Sequence, residues 1–225
     1  MVRQLLFLTL AMSLLAGDLE KARDAQDKPT LDRLQAQASA EAQKKPKDAA
    51  AQYRLALAES YIAEVAIEQR DKNQAHLHAE AGIKAAELAV SLNGNFAEYH
   101  RLYGTLCGQA VSANLLQGMK YGRCAQSEVD KAIQLDPKSA MNYVGRGVGN
   151  YYLPQQLGGG IDLAIKDFQK AIELDPKSAE AHLWLGLALR KANRNAEARK
   201  EFQKSLDLEP ARVWTRQQLD KTPAQ

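Results

Sequence analysis

The phrase Ala171-Ile-Glu-Leu-Asp-Pro176 decides the fold, because it returns 34 residues later as Ser205-Leu-Asp-Leu-Glu-Pro210. A third copy, Ala132-Ile-Gln-Leu-Asp-Pro137, lies upstream. Each copy ends on a proline, which lacks a backbone N–H and cannot continue a helix. A period of about 34 residues indicates helix–turn–helix units that stack into a solenoid. Abundant alanine and sparse aromatic residues suit such packed helices.

The clearest unit runs from Ala179 to Arg212 and contains small residues where two helices must cross. Gly186 in its first helix and Ala198 in its second permit close approach. Larger apolar side chains fill the space beside the crossing and a proline ends the unit: Leu185, Leu189, Phe202 and Pro210. This spacing resembles the tetratricopeptide repeat, although a leucine stands where that family usually has a tyrosine.

The resemblance covers residues 49–212 and implies an all-α, right-handed α-solenoid in which each repeat has a helix A and a helix B. Counting back from the prolines gives four repeats, at 49–96, 97–139, 140–178 and 179–212. The first three are longer than 34 residues, so we expect elongated A–B connections, as in the stretch Leu153–Gly160. Helix A of the first repeat is expected to run past Tyr61 towards Gln69.

The flanks of the solenoid are predicted to be caps, because the ends of a solenoid expose an apolar face. Residues 18–48 are interpreted as a polar, mobile linker followed by a capping helix from Thr30 to Lys44. Residues 213–225 are interpreted as a C-terminal capping helix and tail, with Trp214 as the apolar anchor.

The N-terminus differs from the rest of the chain. Arg3 precedes an apolar run from Leu5 to Ala16 that is shorter than the roughly 20 residues needed to span a bilayer. This pattern is typical of a secretory signal, so residues 1–17 predict export to a bacterial periplasm. An uncleaved membrane anchor is the alternative.

Cys107 and Cys124 are the two cysteines of the chain. An even number of cysteines in an exported protein permits a disulfide. Two buried free thiols are the alternative, because free cysteine is often buried in helices. The sequence does not decide between a disulfide and two free thiols.

Several function classes find no support in the sequence. The formal net charge of +3 is small and gives no concentrated basic face, which disfavours nucleic acid. No nucleophile–base grouping, metal-ligand spacing or nucleotide loop occurs, so we expect no enzyme, no metal and no cofactor. His100 and His182 are interpreted as packing positions of helix A. The glycine run Gly158–Gly160 is interpreted as a flexible turn, in which Gly159→Ala is expected to cost little.

The candidate binding surface is the concave groove, which helix A lines in the family that the chain resembles. A tyrosine-rich and apolar lining suits recognition of a peptide or a partner helix. Chaperone C-terminal tails are disfavoured, because the repeats that bind them have Lys and Asn at two inner positions where this chain has leucine or valine. The predicted lining consists of Tyr61, Arg101, Val144, Val148, Tyr151, Tyr152, Leu183 and Leu187.

Two functions follow from this surface. A narrower resemblance, carried by His100-Arg-Leu-Tyr-Gly104 and the glycine-rich loop, is to exported bacterial repeat proteins without an assigned activity. The concave surface, its tyrosine and aliphatic lining and the absence of catalytic groupings favour a non-catalytic adaptor of the cell envelope that binds an unidentified protein or peptide, with a weak homo-oligomer as an option. The alternative is a small-ligand-binding or transporter-accessory periplasmic protein, because extra residues at the same place in three repeats are expected to help close a pocket near Tyr151 and Tyr152. The chain also has a looser similarity to periplasmic repeat subunits associated with solute transporters.

Overall fold

The computed structural model describes residues 17–113 and 118–224, so the predicted signal run at 1–16 lies outside the described residues. Every regular element in those two ranges is helical. After α1, which is helical in residues 17–24, the helices are α2 (Lys28–Lys44), α3 (Ala49–Glu68), α4 (Lys72–Leu92), α5 (Ala97–Ala113), α6 (Gly118–Leu135), α7 (Ala140–Tyr152), α8 (Ile161–Leu174), α9 (Ala179–Lys191), α10 (Asn195–Leu208) and α11 (Val213–Asp220).

Four helical hairpins form the body of the protein: α3 with α4, α5 with α6, α7 with α8, and α9 with α10. The first helices of the hairpins also pack on one another, α3 on α5, α5 on α7 and α7 on α9, which makes them one continuous inner layer. Helix α2 packs on α3 and α11 packs on α10. The predicted all-α solenoid is confirmed, and its ends are covered by helices.

Glycine sets the distance between the two helices of a hairpin. A Cβ atom on Gly147 would lie 2.5 Å from the ring of Phe168, and one on Gly186 would lie 2.7 Å from Phe202. Both phenylalanines are fully buried. The aromatic ring of helix B therefore packs directly on the backbone of helix A, which only glycine allows.

The extra residues of the first repeat lengthen its helices. Helix α3 has 20 residues and α4 has 21, against 13 and 14 in α9 and α10. Seven residues add two helical turns, about 10 Å, and return each helix to the same face. Helix A of this repeat runs past Tyr61 to Glu68, as expected. Among the described connections, only Leu153–Gly160 is elongated, and it contains a short 3₁₀ turn.

Residues 18–29 do not form the polar linker expected from the sequence. Residues 17–24 are helical, and Leu19 and Ala22 are buried together with Arg23 and Asp24. Pairs of buried apolar residues three positions apart mark one face of a helix. Within the part of the chain that the structure describes, no helix is both long enough and apolar enough to span a membrane.

Candidate functional site

The inner layer of helices curves around α1. Nη1 of Arg23 lies 3.9 Å from Oε1 of Glu64 in α3 and 3.8 Å from Oε2 of Glu180 in α9. These helices belong to the first and the fourth repeats. Because both reach one guanidinium, the surface formed by α3, α5, α7 and α9 must be concave there, and we call it the groove.

Helix α1 occupies part of the groove. Its Leu19 is fully buried, and the guanidinium of Arg23 lies over the ring of Tyr61, 4.9 Å from the centroid. Just after the helix, Nε2 of Gln26 donates a hydrogen bond of 2.7 Å to Oε2 of Glu68. Residues 17–26 thus fill part of the groove and contact it through apolar, cationic and polar side chains.

Arg212 ties the C-terminal cap to the first repeat. Its Nη2 donates to Oε1 of Glu64 at 2.6 Å and to Oε1 of Glu68 at 2.5 Å. Arg212 is only 2% exposed, so the pair is shielded from water. Both glutamates lie in the two additional turns of α3. The longer helices of the first repeat therefore allow the two ends of the solenoid to meet.

The groove holds more buried negative than positive charge. Two arginines face four carboxylates in what we call the charge cluster: Arg23, Asp24, Glu64, Glu68, Glu180 and Arg212. A nearby pair, Arg101 with Glu98, is neutral. The charge cluster carries an excess of two negative charges when every group is ionised, and burying unpaired charge is costly.

The environment moves the pKa values of these carboxyl groups in different directions. Burial raises the pKa of Glu64 to about 7, although Arg23 and Arg212 oppose the shift. Burial also raises the pKa of Glu68. Burial opposes ionisation of Glu180, but Arg23, Arg212 and the indole N–H of Trp184 together lower its pKa.

Three of the predicted groove residues lie in the core. Leu183 has no exposed surface, and Leu187 and Val144 each expose only 4%. They pack in the apolar cluster of the last two repeats, and Val148 is partly buried against the same cluster. The fold leaves these leucines and Val144 no surface to offer a partner, because neighbouring helices of the inner layer cover them.

Tyr61 and Arg101 do face the inner side, but both have partners within the chain. Tyr61 lies under the guanidinium of Arg23. Nε of Arg101 donates a hydrogen bond of 2.7 Å to Oε2 of Glu98, which also accepts a bond of 2.8 Å from the hydroxyl of Tyr53 through Oε1. Removing α1 would free Tyr61, whereas Arg101 would remain paired.

Tyr151 and Tyr152 belong to an aromatic cluster. The two rings lie 5.8 Å and 6.3 Å from the ring of Trp184, and Trp214 lies 5.6 Å from Trp184 on another side. Nε1 of Trp184 donates to Oε1 of Glu180 at 2.8 Å, which joins the aromatic cluster to the charge cluster. Tyr152 is 45% exposed and is the most accessible of the predicted lining residues.

A cavity of about 330 Å³ lies beside Tyr152, between the end of α3 and the C-terminal cap. Among the described residues, Arg70, Arg190 and Lys221 form no ion pair, and Arg190 donates instead to the backbone oxygen and Oε1 of Gln218. The lining of the cavity thus combines three cations with one carboxylate, one amide and an apolar part of two aromatic residues and one aliphatic residue. It is lined by Ile67, Glu68, Arg70, Tyr152, Arg190, Trp214, Gln218 and Lys221.

Cys107 of α5 and Cys124 of α6 form a disulfide, with Cα atoms 6.0 Å apart. It joins the two helices of the second repeat near their connection.

No group of three or more His, Cys, Asp or Glu side chains suited to a metal occurs within the described ranges.

Sequence reasoning missed the charge cluster because its members are scattered along the chain. Arg23 and Arg212 lie in the two flanks, outside any repeat pattern. Glu64 and Glu68 lie in a helix extension that the 34-residue pattern does not contain. Of these residues, only Glu180 could have been assigned to the groove from sequence. It occupies the second position of helix A, which faces the concave side in this class of repeat.

The hairpins, their glycine crossings and the concave inner layer define a tetratricopeptide-repeat protein, and a tetratricopeptide-repeat model matches residues 158–212. A second family model, described as Regulator of microtubule dynamics protein 1-3, matches residues 18–153, which is more than half of the chain. The chain therefore belongs to the family of Regulator of microtubule dynamics proteins 1-3. That match includes most of α1, so the helix in the groove belongs to the region that the family shares.

A curated relative is similar over a shorter stretch. Regulator of microtubule dynamics protein 3 from Bos taurus is 34% identical over 90 residues, which cover 40% of this chain and 18% of the relative. The match thus spans less than a fifth of that relative's length.

Two solved structures are similar in fold. A thermophilic tetratricopeptide-repeat protein from Thermus thermophilus has a TM-score of 0.65 at 17% identity, over 92% of this chain and 97% of that chain. The Cut9–Hcn1 hetero-tetramer of the APC/C has a TM-score of 0.50 at 14% identity, over 94% of this chain and 45% of that chain. At these identities the likeness concerns the fold alone.

Proposed function

We propose that this protein is a non-catalytic scaffold that binds a helical segment of a partner protein in its groove. The observation that carries the proposal is α1, a helix held in the groove by a buried leucine and by paired charges. A surface that holds a helix from its own chain has the shape and chemistry to hold one from another. Helix-in-groove binding is a recurring mode of recognition between proteins.

Site-specific photo-crosslinking tests this proposal. A photoreactive side chain at Tyr152, on the inner side, is compared with one at Leu163 of α8, on the outer layer. The two positions have similar exposure, 45% and 41%, so accessibility alone does not separate them. We expect crosslinks to a partner protein from Tyr152 and not from Leu163. Crosslinks of equal yield from both positions would argue against a groove-specific partner.

The proposal includes export to the cell envelope. The disulfide between Cys107 and Cys124 supports it, because disulfides persist in oxidising compartments. The apolar run Leu5–Ala16 supports it independently. Mass spectrometry of the purified protein is expected to find an N-terminus near Gly17, and an intact Met1 on soluble cytoplasmic material would contradict export.

A second candidate function is binding of a small organic anion in the cavity beside Tyr152. The cavity volume of about 330 Å³ is at the lower end of the range for small-molecule sites, and three of its cations form no ion pair among the described residues. Benzoate is a suitable probe, since it joins a carboxylate to an aromatic ring. We expect benzoate to raise the melting temperature of the wild type but not of Arg70→Ala/Lys221→Ala. No shift in the wild type would exclude this function for aromatic carboxylates.

The family name connects relatives of this chain with microtubule dynamics. For this chain the proposal is limited to a protein partner, since the matched stretch is a small part of the curated relative.

A further inference from the structure

We propose that the partner segment is a basic amphipathic helix that displaces α1 from the groove. The inference rests on the proposed function and adds the chemistry of the partner. It follows from the negative charge of the groove, which α1 does not neutralise.

Arg23 forms ion pairs with the groove but no hydrogen bonds. Its closest approaches to Glu64 and Glu180 are 3.9 Å and 3.8 Å, which are too long for hydrogen bonds. Its short bonds, of 2.9 Å and 2.7 Å, go to the carboxylate of the adjacent Asp24. The short hydrogen bonds of Arg23 are thus made within α1, and its ion pairs with the groove carboxylates are long.

A count of the charges in the charge cluster also shows that α1 leaves the groove negative. Arg23 and Asp24 contribute no net charge, so the excess, which is two negative charges when every group is ionised, comes from Glu64, Glu68 and Glu180 set against Arg212. A helix that brings one or two unneutralised cations would remove this excess. An acidic segment would increase it, which disfavours acidic partners.

The groove around α1 also contains polar groups that are not fully satisfied. Nε and Nη1 of Arg212 are buried and form no hydrogen bond within the described residues, although Nε lies 3.4 Å from a carboxylate oxygen of Asp24. Buried donors without partners cost free energy, so an occupant that also brings an oxygen acceptor to Arg212 would bind more favourably than α1.

The groove specifies where the cation must lie on the partner helix. Leu19 and Ala22 face the apolar side, and Arg23 follows at the fourth position after Leu19. A matching segment has apolar residues at positions i and i+3, an arginine at i+4 and a second cation at i+7, where Gln26 reaches Glu68. Arginine suits the site better than lysine, since its planar guanidinium can stack on the Tyr61 ring and bond two carboxylates together.

Fluorescence anisotropy with labelled peptides tests the inference on the full chain. The reference peptide has the sequence of residues 17–27, the basic peptide has the change Gln26→Lys, which brings a cation to Glu68, and the acidic peptide has the change Arg23→Glu. We expect the basic peptide to bind about tenfold more tightly than the reference and the acidic peptide to bind most weakly. This preference should weaken at high salt, because part of it is electrostatic.

Opening the groove in the protein should strengthen binding of the basic peptide. Leu19→Asp removes the buried anchor of α1, and we expect a gain of about tenfold in affinity. If the basic and acidic peptides bind the Leu19→Asp chain equally, the basic-helix inference is wrong while the groove remains a binding site. If no peptide binds that chain, both the inference and the proposed function fail.

Two further variants connect the preference to particular residues. Glu64→Gln/Glu180→Gln should abolish the preference for the basic peptide, and circular dichroism shows whether the variant is folded. Asp24→Asn is the milder change, because it frees Arg23 to pair with the groove. We expect Asp24→Asn to weaken binding of the basic peptide several-fold, and unchanged or tighter binding would overturn the inference.

Discussion

At the scale of single residues, glycines and histidines of this chain make contacts that a sequence pattern describes only in part. Gly159 resembles a loop glycine in sequence, yet it is buried, and a Cβ there would lie 2.4 Å from the backbone oxygen of Leu153.

His100 and His182, interpreted as packing positions, also form polar contacts between helices. Nδ1 of each lies 2.6 Å from a carboxylate of the helix B that follows, in Glu128 and Glu201 respectively.

The close contact at Gly159 reverses the expectation that Gly159→Ala costs little stability. Gly159→Ala should destabilise the protein by about 1–3 kcal/mol, because the added methyl group meets backbone that cannot move aside easily. Gly149→Ala is the control, since it lies in α7 with nothing within 4 Å of its Cβ position. That change should be neutral or stabilise by up to about 1 kcal/mol. Urea unfolding measures both, and equal stabilities would contradict the assignment.

Gly186 gives a second prediction, for the crossing of α9 and α10. Gly186→Leu places a whole side chain where a Cβ alone would lie 2.7 Å from Phe202. We expect a loss of about 3 kcal/mol or more, because the two helices must separate. A thermal melt of this variant beside Gly149→Ala shows whether the loss comes from the crossing, since a general effect of replacing glycine would appear in both.

At the scale of elements, the added residues of the first repeat extend helices in whole turns. Helix propensity and periodicity cannot locate such an insertion, because seven residues preserve the apolar face. The sequence indicated that helix A runs past Tyr61, and the structure places its end at Glu68. The second repeat is held in another way, by the disulfide between α5 and α6.

The disulfide gives a prediction for this element. Cys107→Ala/Cys124→Ala should lower the free energy of unfolding by about 3 kcal/mol, because the bridge closes a loop of 17 residues in the unfolded chain. Thiol counting under denaturing, non-reducing conditions should find no free thiol in protein from an oxidising compartment. Two free thiols would refute the bridge.

At the scale of the whole molecule, the two ends of the solenoid are joined through Arg212 and α1. Arg212 contacts the end of α3, and Asp24 of α1 lies between Arg212 and Arg23. These residues are distant in sequence and meet only because the inner layer curves. The stability of the first repeat and of the C-terminal cap should therefore be coupled.

Arg212→Ala tests this coupling. It leaves Glu64 and Glu68 without the cation that donates hydrogen bonds to both, and removing one partner of a buried ion pair costs about 3–5 kcal/mol. Arg216→Ala is the control, since Arg216 is exposed and its side chain bonds only the backbone oxygen of Pro210 among the contacts described. Hydrogen exchange should show faster opening of α3 and α11 in Arg212→Ala alone. Protection that is unchanged in α3 would contradict the coupling.

The raised pKa of Glu64, about 7, predicts how stability depends on pH. A carboxyl group whose pKa is higher in the folded state than in the unfolded state stabilises the fold at low pH. That contribution is lost as pH rises from about 4.5 through 7. The free energy of unfolding should therefore fall between pH 5 and pH 8, by at most about 1.4 kcal/mol per pH unit for one proton. Glu64→Gln should flatten this slope, and an unchanged slope would assign it to other groups.

The sequence by itself determined the local order of this protein: the helical hairpins, their boundaries at the recurring prolines and the glycine crossings. These features depend on residues within one repeat, so a period of 34 reveals them. Only the tertiary structure decided that α1 enters the groove, that Leu183 and Leu187 are buried, and that Arg212 meets Glu64. Those contacts depend on the curvature of the inner layer, which sums small rotations over several repeats and leaves no pattern in neighbouring residues.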